Sequence, residues 1–355
     1  MFKDEMTPKE RSKAYFSGKE VDRLPCSLAL GETATSLFNI NQKDYYFSPE
    51  LMAQVEIETD KLFGADSSGG KIGLLGMGEA LGSEIEYSDD NLAYLKNPIL
   101  KSYDMLDSLS LPNPYKDGRL PLVLKTLDIL TKELGDKKDI GLNMGGPLSV
   151  ASTLRGTKEM LKDFRKNPEN IHKLLEFAVE CNLEYIKVVY NDFGIVPSIA
   201  EPLASLNLIS PKMFNEYAAK YLKMQLDGIK KITGSSTGLH ICGKTKAIWN
   251  DIANIGFSSF SLDNCEDMEE LKNEVGDKIV ISGNIDPVEI IKNGSVEDIE
   301  RETLNCIVKA IDSKKGYTVC PGCQIPKYTP EKNIHAIIDT VRKHTRGAVI
   351  GKSLN

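Results

Sequence analysis

The order of apolar and polar residues along the chain separates into helical and strand-like segments. Apolar residues at helical spacing predict helices over residues 50–63, 121–135, about 157–190 and about 211–233. Ser48 and Pro49 are suited to start the first of these helices. Short apolar runs predict strands at residues 140–144 and near 196–200. Helices and strands therefore alternate through the middle of the chain.

The second half of the chain has a more regular rhythm. Its short apolar runs predict strands at residues 238–242, 257–262, 279–282 and 317–320. Helical patterns follow them at about 245–254, 267–274, 287–292 with 296–312, and 331–344. This alternation is typical of a parallel sheet, and at 355 residues it predicts an α/β fold of the closed (β/α)₈ TIM-barrel type.

No Gly/Ser-rich or Pro-rich linker and no repeat divides the chain. We therefore predict one barrel domain over residues 1–355, with regular β/α units over about 111–345. The first 110 residues or so are less regular, and we expect them to form an irregular helical cap together with the first strand.

Composition and charge exclude several classes of partner. The net charge is −7 and no dense run of Lys or Arg occurs, so nucleic acid is not expected as a partner. No stretch approaches the roughly 18 uninterrupted apolar residues of a membrane helix, and the N-terminus lacks a signal-like apolar region. The odd number of cysteines, seven, points to the reducing cytoplasm.

Soft metal ligands follow the predicted strands. His240 and Cys242 are two residues apart in a strand candidate, so alternation places both side chains on one face, at the end where barrel enzymes carry out chemistry. A further thiol is available in Cys320-Pro-Gly-Cys323, after a later strand. Imidazole with two thiolates suits Zn²⁺, and three protein ligands leave a fourth position open.

Two other interpretations of these residues stay open at this point. His240 and Cys242 are also compatible with a structural histidine and a buried cysteine. The Cys320–Cys323 spacing occurs in redox dithiols, although such a motif should open a helix, whereas Pro326 and Pro330 follow here.

Several motifs resemble the uroporphyrinogen-decarboxylase superfamily, and within it the zinc-dependent, corrinoid-linked methyltransferases. The most specific are His240-Ile241-Cys242-Gly243, Gly283-Asn284-Ile285-Asp286-Pro287 and Pro321-Gly322-Cys323. The resemblance extends to residues 18–25, 79–84, 146–147, 201–202 and 208–211. It implies a barrel that holds zinc through His240, Cys242 and Cys323, with Cys320 as a neighbour or fallback ligand.

The resemblance also implies a function. A zinc-bound thiol or similar acceptor would take a methyl group from the cobalt of a methyl-corrinoid (cobalamin) carried by a small corrinoid-binding protein. A related possibility is the donor side of the pathway, in which a methoxylated compound or a methylamine methylates the corrinoid. A non-catalytic alternative is a carrier-binding protein with structural zinc, but such sites usually have four protein ligands.

The decarboxylase branch of the superfamily is the remote alternative. Its members have an Arg-rich segment near the first strand that holds the substrate's carboxylates. Here the corresponding segment is Ser27-Leu28-Ala29-Leu30-Gly31-Glu32-Thr33, and no arginine lies between Arg23 and Arg119. We therefore do not expect uroporphyrinogen decarboxylation.

Two carboxylates are further candidates for the site. Glu201 follows a predicted strand, where it would position the acceptor, approach the metal or cap the next loop. Asp263 would be a fourth zinc ligand, an acceptor for the imidazole N–H of His240, or a helix N-cap with Asn264. The glycine-rich residues 69–78 match no nucleotide-binding motif, and we interpret them as a mobile loop lying against the corrinoid or its carrier.

Overall fold

A parallel sheet forms the centre of the molecule. The structure is a computed structural model that describes residues 3–353. Its strands are β1 Ser68–Gly73, β2 Glu84–Glu86, β3 Tyr94–Asn97, β4 Ile140–Gly145, β5 Ser198–Ala200, β6 Gly238–His240, β7 Ser259–Ser261, β8 Val280–Ile285 and β9 Tyr317–Pro321. Seven of them pair in the order β1-β4-β5-β6-β7-β8-β9, whereas β2 and β3 form a separate hairpin.

Residues 25–27 close the sheet into a barrel. Cys26 forms a parallel bridge with Val319 of β9, and the backbone N–H of Asp66 donates to the carbonyl oxygen of Cys26 over 2.9 Å. This short segment therefore occupies the eighth barrel position, between β9 and β1. The prediction of a (β/α)₈ barrel is confirmed.

Helices surround the barrel. They are α1 Pro8–Phe16, α2 Gln42–Phe47, α3 Pro49–Phe63, α4 Gly76–Ala80, α5 Leu120–Leu134, α6 Pro147–Arg155, α7 Thr157–Lys166, α8 Pro168–Phe193, α9 Pro211–Met213, α10 Lys220–Thr233, α11 Trp249–Ile255, α12 Met268–Val275, α13 Val296–Ala310 and α14 Glu331–His344. The start predicted for α3 is observed, because the Ser48 hydroxyl accepts a hydrogen bond from the N–H of Leu51. Among the described residues, no helix has both the length and the apolar character needed to cross a membrane.

Two long helices are interrupted where the sequence predicted continuous ones. The segment predicted at 157–190 is divided into α7 and α8, because Pro168 has no N–H to continue a helix and instead begins a new one. The segment predicted at 211–233 begins with the short α9, continues as a π-helical turn over Phe214–Ala219 and becomes regular only in α10.

The glycine-rich segment is a barrel strand, so its interpretation as a mobile loop is wrong. Residues Ser68–Gly73 form β1, which pairs in parallel with β4. A Cβ atom on Gly69 would lie 2.2 Å from the carbonyl oxygen of Gly141, so only glycine allows this close approach of the two backbones. The first 110 residues thus supply two of the barrel positions, residues 25–27 and β1.

Asp66 holds those two positions together. Its carboxylate accepts hydrogen bonds from the N–H of Cys26 at 2.7 Å and from the guanidinium of Arg23 at 2.6 Å, and it also pairs with Arg11. Both arginine side chains are buried, with at most 1% of their surface exposed. A buried network of charges therefore stabilises the junction between the first two barrel positions.

We predict that Gly69→Ala destabilises the protein by about 1–3 kcal/mol, since the added methyl group forces β1 away from β4. Gly141→Ala is the matched control, because a Cβ on this partner residue meets only the Ser68 carbonyl oxygen at 3.8 Å. Urea unfolding followed by the fluorescence of Trp249, the single tryptophan, measures both changes. Equal midpoints for the two variants would contradict the close-approach argument.

Candidate metal centre

His240 ends β6, and its ring is oriented by the neighbouring strand. Its Nδ1 lies 3.2 Å from the backbone oxygen of Ser261 and 3.1 Å from the Ser261 hydroxyl. A carbonyl oxygen only accepts hydrogen bonds, so Nδ1 carries the proton and donates to Ser261. The lone pair of Nε2 is then available as a metal ligand.

Cys242 lies beyond β6, which ends at His240 rather than continuing to residue 242 as the sequence predicted. The chain turns at Gly243, whose φ of +74° favours glycine. The N–H of Gly243 donates to Oδ2 of Asp263 at 2.8 Å. This bond fixes the turn and brings the Cys242 sulfur to 3.1 Å from Nε2 of His240.

Cys323 reaches the same place from the loop after β9. Its neighbour Gly322 donates its N–H to the carbonyl oxygen of Ile285 at 2.9 Å. A Cβ on Gly322 would lie 2.4 Å from the backbone nitrogen of Asn264, so this passage also needs glycine. The Cys323 sulfur consequently lies 3.7 Å from that of Cys242.

The three predicted ligands therefore meet. One ligand atom from each of His240, Cys242 and Cys323 lies within 4.8 Å of the others. The hydrogen bond from the Cys242 thiol lowers the pKa of Cys323 below its ordinary value. The same bond between the two sulfurs raises the pKa of Cys242 well above its ordinary value. The two sulfurs therefore lie close enough to each other and to the imidazole to bind one ion together.

Cys320, the fallback ligand, is not part of this group. It lies within β9 with 8% of its surface exposed, and burial raises the pKa of its thiol to about 12. Between the two cysteines of the Cys-Pro-Gly-Cys run, the geometry favours Cys323 as the ligand. The two residues also do not open a helix, since β9 ends at Pro321 and α14 begins only at Glu331.

The group opens into a cavity inside the barrel with a volume of about 580 Å³. Most TIM barrels fill this space with layers of bulky side chains. Here one layer in register across five strands lines the cavity and consists of Ala200, His240, Ser261, Ser282 and Thr318. The neighbouring layer is equally small at Ser198, Gly238 and Ser259. These short side chains leave room for a ligand beside the three metal-binding atoms.

Glu201 lies outside the metal-binding group, although it follows β5 as predicted. Its side chain is fully buried and accepts hydrogen bonds from the N–H groups of Leu148 and Ser149 and from the Ser149 hydroxyl, at 2.6–2.9 Å. Burial raises the pKa of this carboxyl to about 7, against the opposing effect of these bonds. Of the roles considered for Glu201, the structure supports capping, here of the N-terminus of α6.

Asp263 makes contacts other than those considered for it from the sequence. The imidazole N–H donates to Ser261 and not to Asp263, and Asp263 does not belong to the group of three ligands. Its two oxygens instead accept hydrogen bonds from the N–H groups of Gly243 and Cys265. Asp267, not Asp263, caps the following helix, α12. Asp263 therefore positions the Cys242 turn. Ser261 was not predicted as a site residue, because its position opposite His240 depends on the register of β6 and β7.

Comparisons with known proteins agree with this architecture. The chain is 30% identical to methylcobamide:CoM methyltransferase MtaA of Methanosarcina barkeri, over 94% of this chain and 97% of that protein. It is 27% identical to methylcobamide:CoM methyltransferase MtbA of Methanosarcina acetivorans, over 96% and 99% of the two chains. A solved methyltransferase from Methanosarcina mazei superposes with a TM-score of 0.82 at 25% identity, covering 96% of this chain and 99% of that one.

Residues 7–344 also match the family described as uroporphyrinogen decarboxylase (URO-D), which is nearly the whole chain. The fold, the ligands at the strand ends and this match lead to the same assignment. The protein belongs to the uroporphyrinogen decarboxylase family.

Proposed function

We propose that this protein is a zinc-dependent methyltransferase that moves a methyl group from a corrinoid to a thiol or similar acceptor. The observation that carries the proposal is the meeting of His240, Cys242 and Cys323 at an open barrel cavity. The similarity to methylcobamide:CoM methyltransferases along almost the entire chain supports methyl transfer in particular.

The chemistry and spacing of the donors fit zinc. One imidazole nitrogen and two sulfurs are typical zinc ligands, and Zn–S bonds of about 2.3 Å in a tetrahedron separate two sulfurs by about 3.8 Å. The observed separation between the sulfurs of Cys242 and Cys323 is 3.7 Å. Three protein ligands leave a fourth position for a substrate, and the cavity gives that substrate access.

Each residue of the centre has a defined task. Zinc held by His240, Cys242 and Cys323 would supply the positive charge that lowers the pKa of an incoming thiol, so that the thiol would bind as the nucleophilic thiolate. Ser261 holds His240 in the tautomer that presents Nε2, and Asp263 fixes the turn that carries Cys242. The cavity aligns the acceptor sulfur with the methyl carbon. The thiol proton passes to solvent when the acceptor binds. As the S–C bond then forms, the Co–C bond breaks with both electrons left on cobalt.

The corrinoid requires a partner in this proposal. We infer that a small corrinoid-binding protein presents it at the carboxyl end of the barrel, where the ligands lie. The methylcobamide substrate in the names of the relatives supports a corrinoid partner. We also propose a cytoplasmic location, supported by seven free cysteines, since the centre needs reduced thiols.

Zinc content tests the ligand set. We expect about one zinc per purified chain, with Cys323→Ala losing the metal while the cooperative fold survives on its large core. Cys320→Ala is the matched control three residues away and should keep its zinc. Elemental analysis and thermal unfolding measure both properties. Loss of zinc in Cys320→Ala alone, or full zinc in the double variant His240→Ala, Cys242→Ala, would refute the assignment.

Methyl transfer from methylcobalamin to a panel of thiols tests the activity. The zinc-loaded protein should accelerate the reaction at least about tenfold at pH 7, where only a few per cent of a free thiol is thiolate. Binding of the acceptor should release close to one proton per site and add a sulfur to the zinc X-ray absorption spectrum.

Two results of that experiment would contradict the acceptor-side proposal. Equal rates for the metal-free and zinc-loaded proteins would make the zinc structural. A change in the zinc shell with a methoxylated compound or a methylamine, but with no thiol, would assign the protein to the donor side of the pathway.

We predict no uroporphyrinogen decarboxylation. The cavity-lining segment from Ser27 to Glu32 contains no arginine. The flanking Arg23 and Arg119 are buried in ion pairs with Asp66 and Glu79 and do not line the cavity. A polyanionic porphyrinogen therefore lacks the arginines that would pair with its carboxylates. Formation of coproporphyrinogen at ordinary enzyme concentrations would overturn this prediction.

A further inference from the structure

A second polar group lines the same cavity, away from the metal-binding atoms. It consists of Glu32, Glu56, Thr59 and Lys71, which we call the Lys71 group. Glu32 comes from a 3₁₀ helix, Gly31–Leu37, that follows residues 25–27. Lys71 comes from β1, and the other two residues come from α3. The group combines one ammonium with two carboxylates and a hydroxyl, in a barrel otherwise lined by small side chains.

Lys71 projects into the barrel from β1. It is in register with Asn143 of β4, which is in register with Ser198 of β5, and all three residues line the cavity. Its Nζ lies so close to Gly31 that a Cβ there would be 1.8 Å away. The distance from Nζ to Oε2 of Glu32 is 3.8 Å, too long for a hydrogen bond. Within the described residues, this ion pair leaves ammonium donors for a ligand.

Glu56 and Thr59 approach the cavity from α3, one helical turn apart. Glu56 is only 9% exposed, and its carboxylate accepts a single weak hydrogen bond, from the N–H of Gly69 at 3.2 Å. Burial raises the pKa of Glu56, whereas the charge of Lys71 acts in the opposite direction. The Thr59 hydroxyl is buried and has no hydrogen-bond partner among residues 3–353. Such incompletely satisfied polar groups facing a cavity are suited to a ligand.

The Lys71 group is connected to the metal centre. The side chain of Gln324, next to Cys323, donates to the carbonyl oxygen of Leu30 at 2.8 Å. The N–H of Ile325 donates to Ala29 at 3.2 Å, and the Thr33 hydroxyl donates to Ile325 at 2.7 Å. The segment that carries Glu32 is therefore held against the loop that carries Cys323. Both groups face the same cavity and lie on segments that are bonded to each other.

We propose that the Lys71 group binds the α-amino-acid head of the methyl acceptor. The carboxylate of the acceptor pairs with Lys71, and its ammonium pairs with Glu32 and Glu56. The acceptor is then a short zwitterionic thiol whose sulfur extends toward His240, Cys242 and Cys323. This inference rests on the proposed function and adds the class of its substrate.

The charges favour a zwitterion over a simple anion. A thiol with only a sulfonate or carboxylate would gain Lys71 but would also lie beside two carboxylates in a partly buried site, where like charges repel. A thiol with only an ammonium would leave Lys71 without a ligand partner. A zwitterion pairs with both signs of charge at once.

Calorimetry with S-methylated products tests the inference in the zinc-loaded, full-length protein. Thioethers have no thiol proton, so the metal contributes similarly to each of them. The probes are methionine, its deamino analogue, its decarboxy analogue and S-methylated mercaptoethanesulfonate. Methionine should bind at least about tenfold more tightly than each of the others, because each other probe loses a charge-assisted contact.

Two variants assign the charges. Lys71→Met should weaken methionine at least about tenfold and remove its advantage over the decarboxy analogue. Glu32→Gln should remove its advantage over the deamino analogue. Lys61→Met is the matched control, because Lys61 lies on α3 with 64% of its side chain exposed and pairs with Glu58. It should bind all four probes like the unchanged protein, and circular dichroism verifies that every variant is folded.

Two outcomes separate this inference from the proposed function. If the sulfonate probe binds as well as methionine, or if both Lys71→Met and Glu32→Gln leave the four affinities unchanged, the inference is overturned even where thiols are methylated. If methionine is preferred but no thiol accepts a methyl group from methylcobalamin, the head-binding site stands and the proposed methyl transfer does not.

Discussion

Closure of the barrel at its first strand depends on the carboxylate of Asp66. Residues 25–27 contribute only a short bridge to β9, and on the other side Asp66 attaches them to β1 through the backbone of Cys26. Arg11 and Arg23 surround this carboxylate in the protein interior. Removal of one partner from such a buried network leaves an unpaired charge, which typically costs about 3–5 kcal/mol. Glu32 follows the first of the two barrel positions joined here, and Lys71 lies in the second, β1.

Because the residues inside the barrel are small, apolar packing between the sheet and the helices supplies most of the stability. The sequence Ser259-Phe260-Ser261 illustrates this, since the two serines line the cavity while Phe260 is buried with 1% exposure. Apolar side chains between the sheet and the helices form the extensive core of the protein. The inner layers consequently contribute little apolar burial, and they are free to supply polar contacts and space. The chain can therefore accommodate a ligand in a region that many barrels use for packing.

The sequence predicted those parts of the site that use rare residue types at positions set by topology. His240, Cys242 and Cys323 follow strands of a recognisable barrel pattern, and few side chains bind zinc. The strand β1 was missed because its glycines have low strand propensity; the close approach to Gly141 explains Gly69. Asp263 and Glu201 were found near the correct strand ends, but a carboxylate there can accept many donors. The conformation of the neighbouring loops decides which N–H groups donate hydrogen bonds to such a carboxylate.

Ser261 and Lys71 could not be predicted as site residues for a related reason, because each acts on a residue of another strand or segment. Neither residue type indicates a site on its own, and the pairing of Ser261 with His240 requires the register of β6 and β7. Lys71 and Glu32 are far apart in the chain and meet only because β1 lies beside the segment after residues 25–27. Long-range register of this kind is set by packing of the whole barrel and is not encoded in a local pattern.

The hydrogen bonds between the loops at Ala29–Thr33 and at Gln324–Ile325 have a thermodynamic consequence. A ligand that orders one loop also lowers the entropy that remains to be lost when the other loop becomes ordered. Occupancy of the cavity by an acceptor and retention of the metal should then be cooperative. Linkage makes this effect reciprocal: the factor by which the metal strengthens acceptor binding equals the factor by which the acceptor strengthens metal binding. With zinc bound as proposed, the protein would hold the metal least firmly when its substrate is scarce.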